Sequence, residues 1–298
     1  MPELFCLGFG YSAQALSRRL RERGWDVSGT VRSDTRVTAV RENGFDAFAW
    51  AGDAPSPRIA ETLGRATHLL LSAPPNEAGD PLLVHHRDDL AKAPSLAWVG
   101  YLSTVGVYGN HDGSWIAENA ALNTTKKRGR RRVEAEQTWL DFGAKTGMAV
   151  QIFRLAGIYG PGRSAIDKLK SGQARRIVKP GQVFNRIHVV DIATTLEASI
   201  DHPNPGAVYN VCDDEPAPPQ DLVTFAAGLL NVEPPPEVAF DIADLTPMAR
   251  SFYGENKRIS NARIKDELGV TLAFPSYRDG LRAIMERPDS EEPVESGS

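Results

Sequence analysis

Apolar positions along this chain fall into two patterns, unbroken runs and helical spacing. Leu4-Phe5-Cys6-Leu7 is a continuous apolar run, the pattern of a strand buried on both faces. After a glycine-rich turn, Ala13, Leu16 and Leu20 recur at helical spacing. Arg18, Arg19, Arg21, Glu22 and Arg23 fill the solvated face, and Gly24 supplies a C-terminal stop. The alternation continues, with strands expected over Trp25–Val31, Phe45–Trp50, His68–Ser72, Ala97–Leu102 and Ala149–Leu155, and a helix over Val133–Phe142. Repeated strand–helix units predict an α/β fold, a doubly wound parallel sheet covered by helices on both faces. Prolines at 216–219 and 234–236 then break the pattern into short helices, Asp221–Leu230 among them. They mark a smaller C-terminal substrate lobe. The expected organisation is a dinucleotide-binding domain over 1–160, rejoined by 176–212. A substrate lobe follows from 161–175 and 213–287, and the polar, acidic tail 288–298 is expected to be disordered.

The first turn carries the most specific chemistry. Gly8-Phe9-Gly10-Tyr11-Ser12-Ala13 has the form G-x-G-x-x-A between a strand and a helix. Gly8 allows a tight turn, Gly10 lets backbone approach a pyrophosphate, and Ala13 lets the helix pack on its strand. The N–H groups at the helix start face the phosphates. This is the Rossmann-type dinucleotide loop in its required context. An acidic residue about 20 positions further on holds the ribose 2′-hydroxyl in NAD sites. Here the segment reads Gly29-Thr30-Val31-Arg32-Ser33, without an acid. Arg32 and Ser33, with Arg36 assisting, suit a 2′-phosphate, which predicts NADP. The other reading leaves Arg32 solvated and gives the ribose to Asp34, so NAD stays open. Ligands in such sheets lie beyond the carboxyl ends of the strands. That rule gathers 8–13, 32–33, Ala73-Pro74-Pro75, Ser103–Tyr108 and 156–163 into one site.

Composition narrows the class. A 41% hydrophobic content over 298 residues builds one large or two coupled cores, and a net charge of −4 argues against general nucleic-acid binding. No apolar run is long enough for a membrane span. Two cysteines, Cys6 and Cys212, form no disulfide framework, and His85-His86 lacks metal-ligand spacing. The expectation is a cytoplasmic protein that binds a small molecule, without metal, nucleic acid or membrane.

Five segments together resemble the extended short-chain dehydrogenase/reductase superfamily, which includes the sugar-nucleotide epimerases and dehydratases. They are the glycine loop, Leu102-Ser103-Thr104-Val105-Gly106-Val107-Tyr108-Gly109, Trp115-Ile116-Ala117-Glu118, Arg154–Gly162 and Asn185–Ala193. The short glycine loop is similar to that of the atypical branch. The resemblance implies a Ser or Thr that orients the substrate, a tyrosine acid/base, and a lysine four residues later. Thr104 stands at the hydroxyl position. The tyrosine and lysine positions hold Arg128 and Arg132. Arginine stays charged, so Arg128 cannot exchange the proton, although it suits an anionic substrate or phosphate. Arg132 can still supply positive charge near the ribose. Tyr108, Tyr159 and Tyr253 are then the candidate replacements as acid/base. The alternative is a non-catalytic NADP-binding sensor or interaction protein.

The run Lys126–Arg132 reads as the solvated start of a helix, with Glu134 and Glu136 as ion-pair partners, or as an anion site over the cofactor pocket. The resemblance makes the 126–141 helix a candidate homodimer element. Asp191 is expected to cap a helix over Ile192–Ile200, and His188 to pack at a strand end. Arg154, Arg163, Arg186 and Lys257-Arg258 fall in segments that the superfamily places around its substrate cleft.

Overall fold

The computed structural model describes residues 1–286; the tail expectation lies outside the described residues. The chain opens with β1 (Glu3–Leu7), α1 (Tyr11–Glu22), β2 (Asp26–Val31), α2 (Asp34–Glu42), β3 (Asp46–Ala49), α3 (Pro57–Arg65), β4 (His68–Leu71), α4 (Pro81–Ala91) and β5 (Trp98–Thr104). A short β6 (Trp115–Ile116), α5 (Lys127–Thr146), β7 (Val150–Leu155), β8 (Gly157–Tyr159), α6 (Ala165–Lys170), β9 (Arg176–Val178), β10 (Arg186–His188), α7 (Val189–Asp201) and β11 (Val208–Val211) follow. The last part holds α8 (Pro219–Leu230), β12 (Glu237–Ala239), α9 (Pro247–Phe252), β13 (Arg258–Ile259), α10 (Ala262–Leu268) and α11 (Tyr277–Glu286).

Seven parallel strands form the central sheet in the order β11-β7-β5-β4-β1-β2-β3. This is the doubly wound Rossmann arrangement, and the strand order reverses between β1 and β4. Both faces are dry. Leu4, Cys6 and Leu70 point into one core cluster, Phe5, Leu7, Leu69 and Leu71 into the other. That two-sided burial explains why the strands read as unbroken apolar runs rather than as alternating ones.

The predicted strands are present within a residue or two of their expected ends, and α5 is longer than its apolar pattern indicated. Two expectations need correction. β9 pairs with β12 in the lobe, so the chain rejoins the sheet later than residue 176, through α7 and β11. Asp191 does not cap α7: the His188 Nδ1 accepts from the Val190 N–H at 3.2 Å and is the cap. The Asp191 carboxylate instead accepts from the Ala273 and Phe274 N–H groups at 2.7 and 3.1 Å, fixing a lobe segment to the sheet domain.

Candidate functional site

The glycine loop hangs from β2. Thr30 accepts from the Gly8 N–H through Oγ1 at 3.0 Å and from the Phe9 N–H through its carbonyl at 2.7 Å. The Phe9 ring is buried beside Gly29, where a Cβ would come within 2.4 Å of it. Gly8 has φ +91°, and a Cβ there would sit 2.9 Å from the Ala73 nitrogen. The segment after β4 therefore lies directly on the loop, with the Ser72 and Ala73 N–H groups both donating to the Leu7 carbonyl. Gly10 is different: a Cβ there would meet nothing within 4 Å. No side chain caps α1 and its first turn holds no acid, so the N–H groups at its start face an open cradle suited to an anion. Ser12 and Ala13 are buried, Ala13 in the core cluster that also holds Leu4 and Cys6 of β1.

Arg32 and Ser33 are exposed just past β2, Ser33 as the residue preceding α2. On the opposite side, the Tyr11 hydroxyl donates to the Pro161 carbonyl at 2.9 Å, and a Cβ on Gly160 would lie 2.3 Å from that hydroxyl. Arg163 is exposed, with its guanidinium 5.8 Å from the Tyr11 ring centre. Segments 8–13, 32–33 and 73–75 thus follow the carboxyl ends of the neighbouring strands β1, β2 and β4, and Tyr11 ties 160–163 to them.

The residues around β5 divide into two groups. Thr104 ends β5 half-buried, its Oγ1 accepting from the Gly106 N–H at 3.1 Å. Ser103 points to the buried side and donates to Glu136. Glu136 is also the partner of Arg154 at 2.7 Å, both side chains being buried. The Arg154 Nη1 donates to the Tyr108 hydroxyl at 2.9 Å, and that hydroxyl donates to the Asn210 Oδ1 at 2.7 Å. Tyr108 is fully buried, and burial raises its pKa against the opposing pull of Arg154. It belongs to this internal network, not to the open edge.

Tyr159 is likewise buried. Its hydroxyl donates to the Ser276 carbonyl at 3.3 Å, and burial raises its pKa. Tyr253 is wedged between Phe184 and Phe240, and burial raises its pKa too. His188 is held neutral, its pKa lowered to about 4 by burial.

The start of α5 is gripped from two directions. Lys127 and Arg131 both pair with Glu77 of the loop after β4, Lys127 at 2.7 Å. Lys126 pairs with Glu255 of the lobe at 2.6 Å. Arg130 donates to the Thr125 carbonyl, and Arg132 turns back to the Leu102 carbonyl at 2.6 Å. Glu136, expected to serve this run, serves Arg154 instead. Arg128 is exposed, and alone in the run it has no hydrogen-bond or ion-pair partner among the described residues. Its guanidinium lies 6.0 Å from the Phe252 ring centre.

The other expected cleft cations are mostly internal. Arg154 and Arg186 are buried, Arg186 on the Phe184 and Ala217 carbonyls. Lys257 is buried between Glu255 and the Gly109 carbonyl, at 2.8 and 2.6 Å. The Ser103–Glu136–Arg154 network was missed in the sequence; the glutamate four residues beyond the lysine position was its available signal. Among the described residues, no group of three or more His, Cys, Asp or Glu could hold a metal, and no helix is long and apolar enough to cross a membrane.

Residues 89–212 match the sequence profile of the NAD dependent epimerase/dehydratase family. A protein of unknown function from Silicibacter pomeroyi is 51% identical, with 97% of this chain and 100% of that chain covered and a TM-score of 0.89. Protein YeeZ of Escherichia coli K12 is 27% identical over 290 residues, 92% of this chain and 97% of its own. The dTDP-glucose 4,6-dehydratase of Bacillus anthracis, solved in complex with NAD, shares the fold: TM-score 0.76, 14% identity, 96% of each chain covered. Its glycine loop, strand order and these relatives support the resemblance to the atypical extended short-chain dehydrogenases/reductases, and residues 89–212 carry the match to the NAD dependent epimerase/dehydratase family.

Proposed function

We propose that this protein is a cytoplasmic NADP-dependent oxidoreductase or epimerase-like enzyme acting on a small anionic or sugar-like substrate. The observation that carries the substrate half is Arg128. Every other cation from Lys126 to Arg132 has a carboxylate or carbonyl partner, and Arg128, exposed and without one, stands where the superfamily resemblance places the tyrosine. An unpaired guanidinium there holds a carboxylate or phosphate as a forked donor.

The cofactor half rests on the cradle. The N–H groups opening α1 would hold the pyrophosphate above Gly10, between Gly8–Ala13 and Ala73-Pro74-Pro75. Arg32 and Ser33 would take the 2′-phosphate, since no acid ends β2 to repel it. When bound, the nicotinamide supplies the hydride chemistry. Thr104 orients the substrate oxygen, and Arg132 keeps positive charge at the end of β5.

A second reading, a non-catalytic NADP-binding sensor, is favoured by one specific observation. The hydroxyls of Tyr108 and Tyr159 are engaged internally, so neither replaces the missing acid/base. Titration with NADPH and NADH, followed by nicotinamide fluorescence, tests the cofactor half: tight NADPH and weak NADH binding is expected. NADPH oxidation against carbonyl substrates with an anionic group then separates enzyme from sensor. Tight cofactor binding with no turnover on any of them favours the sensor, and binding of neither nucleotide removes both readings.

A further inference from the structure

Beside Arg128 the lobe presents an apolar ridge. α9 runs from Pro247 to Phe252 and buries none of its residues. Met248 and Phe252 are spaced i, i+4 and so share one helix face, with 61% and 49% of their surfaces exposed. Phe252 is anchored against the start of α5: its ring centre lies 5.7 Å from the Lys126 Nζ and 6.0 Å from the Arg128 guanidinium. The Lys126 Nζ also donates to the Ser251 carbonyl at 2.7 Å, which ties the end of α9 to the start of α5. An exposed aromatic ring and an unpartnered guanidinium therefore stand side by side on two elements already bonded together.

We propose that this ridge and Arg128 together bind a carboxylate with an apolar, preferably aromatic, body rather than a polyhydroxylated one. The inference rests on the reading of Arg128 as the anion contact and adds the nature of the rest of the molecule. The guanidinium fixes the charged end, and Met248 and Phe252 offer apolar surface that water solvates poorly. A sugar ring on the same ridge would lose hydration of its hydroxyls without hydrogen-bond partners from these two side chains.

The test is calorimetric titration of the full-length protein, with and without NADPH, using trans-cinnamate and glucuronate as probes. Wild type is compared with F252S and R128Q, both at exposed positions, with circular dichroism to verify folding. Cinnamate is expected to bind at least about tenfold more tightly than glucuronate. F252S should weaken cinnamate about tenfold and leave glucuronate unchanged, whereas R128Q should weaken both. Equal affinities together with an indifferent F252S overturn the apolar assignment and leave the anion reading standing. An R128Q variant that binds both probes normally overturns the anion reading itself, as does failure of wild type to bind either probe. A dimer that F252S dissociates, without cinnamate binding, gives the ridge to a second copy and also overturns the proposal.

Discussion

Replacing Glu136 by alanine should destabilise the protein severely while leaving its surface untouched. The carboxylate is 2% exposed and accepts from Ser103 and, through both oxygens, from Arg154. Without it, the Arg154 guanidinium stays buried with only the Tyr108 hydroxyl and the Glu118 carbonyl as acceptors, at 2.9 and 3.1 Å. Breaking a buried pair by removing one partner costs about 3–5 kcal/mol. That is a large fraction of the roughly 5–15 kcal/mol that holds a typical fold together. Glu136→Gln keeps the shape and an acceptor for Ser103, so it should cost less, about 1–3 kcal/mol. Urea unfolding of wild type, E136A, E136Q and the double variant E136M/R154M measures these differences. The double variant should be more stable than E136A, because it leaves no buried charge. A loss below about 1 kcal/mol for E136A would mean that water reaches Arg154 and that the pair is not a buried one. The consequence extends along the chain: Ser103 precedes Thr104, so a loosened Glu136 should also loosen the end of β5.

Three further outcomes are expected. Gly10→Ala should leave the melting temperature unchanged, because its Cβ meets nothing, yet raise the NADPH dissociation constant at least about tenfold by occupying the cradle. Arg32→Glu should weaken NADPH much more than NADH in the same fluorescence titration; equal losses would return the ribose to Asp34. Asp213 is 2% exposed, and burial raises its carboxyl pKa to about 8 despite nearby Arg186. The folded state therefore holds this proton more tightly than the unfolded chain. Its contribution to stability is present at low pH and is lost as pH rises from about 4 through about 8. Melting curves of wild type and Asp213→Asn across that range should diverge as pH rises, with the variant the flatter.

The sheet and the glycine turn of the first half were legible because their signals are local. Gly8, Gly10 and Ala13 sit within six residues between a strand and a helix, and the absence of an acid after β2 is visible by inspection. What could not be read depends on distant partners. Arg154, Arg186 and Lys257 look like cleft cations in sequence, but their acceptors lie on other elements, such as Glu136 for Arg154. The same applies to the basic run. Its helical neighbours Glu134 and Glu136 were the natural partners, whereas Glu77 and Glu255 arrive from the loop after β4 and from the lobe. His188 as a helix cap was hidden because Asp191 is the commoner capping residue. The Tyr108 hydroxyl was ambiguous until β11 placed Asn210 beside it.

The position of β11 at the sheet edge bears on how the protein is made. β7 ends at Leu155, and its outer edge has no strand beside it until Val208–Val211 has been synthesised. At about 5–20 residues per second, that interval leaves an open edge for several seconds on the ribosome. Val150, Ile152, Phe153 and Leu155 are apolar and bury nearly all their surface in the finished protein. Until β11 arrives they form an unpaired template of the kind that draws neighbouring nascent chains into aggregates. Expression yield should therefore respond to substitutions that slow translation or folding between 156 and 207, even where the finished structure tolerates them.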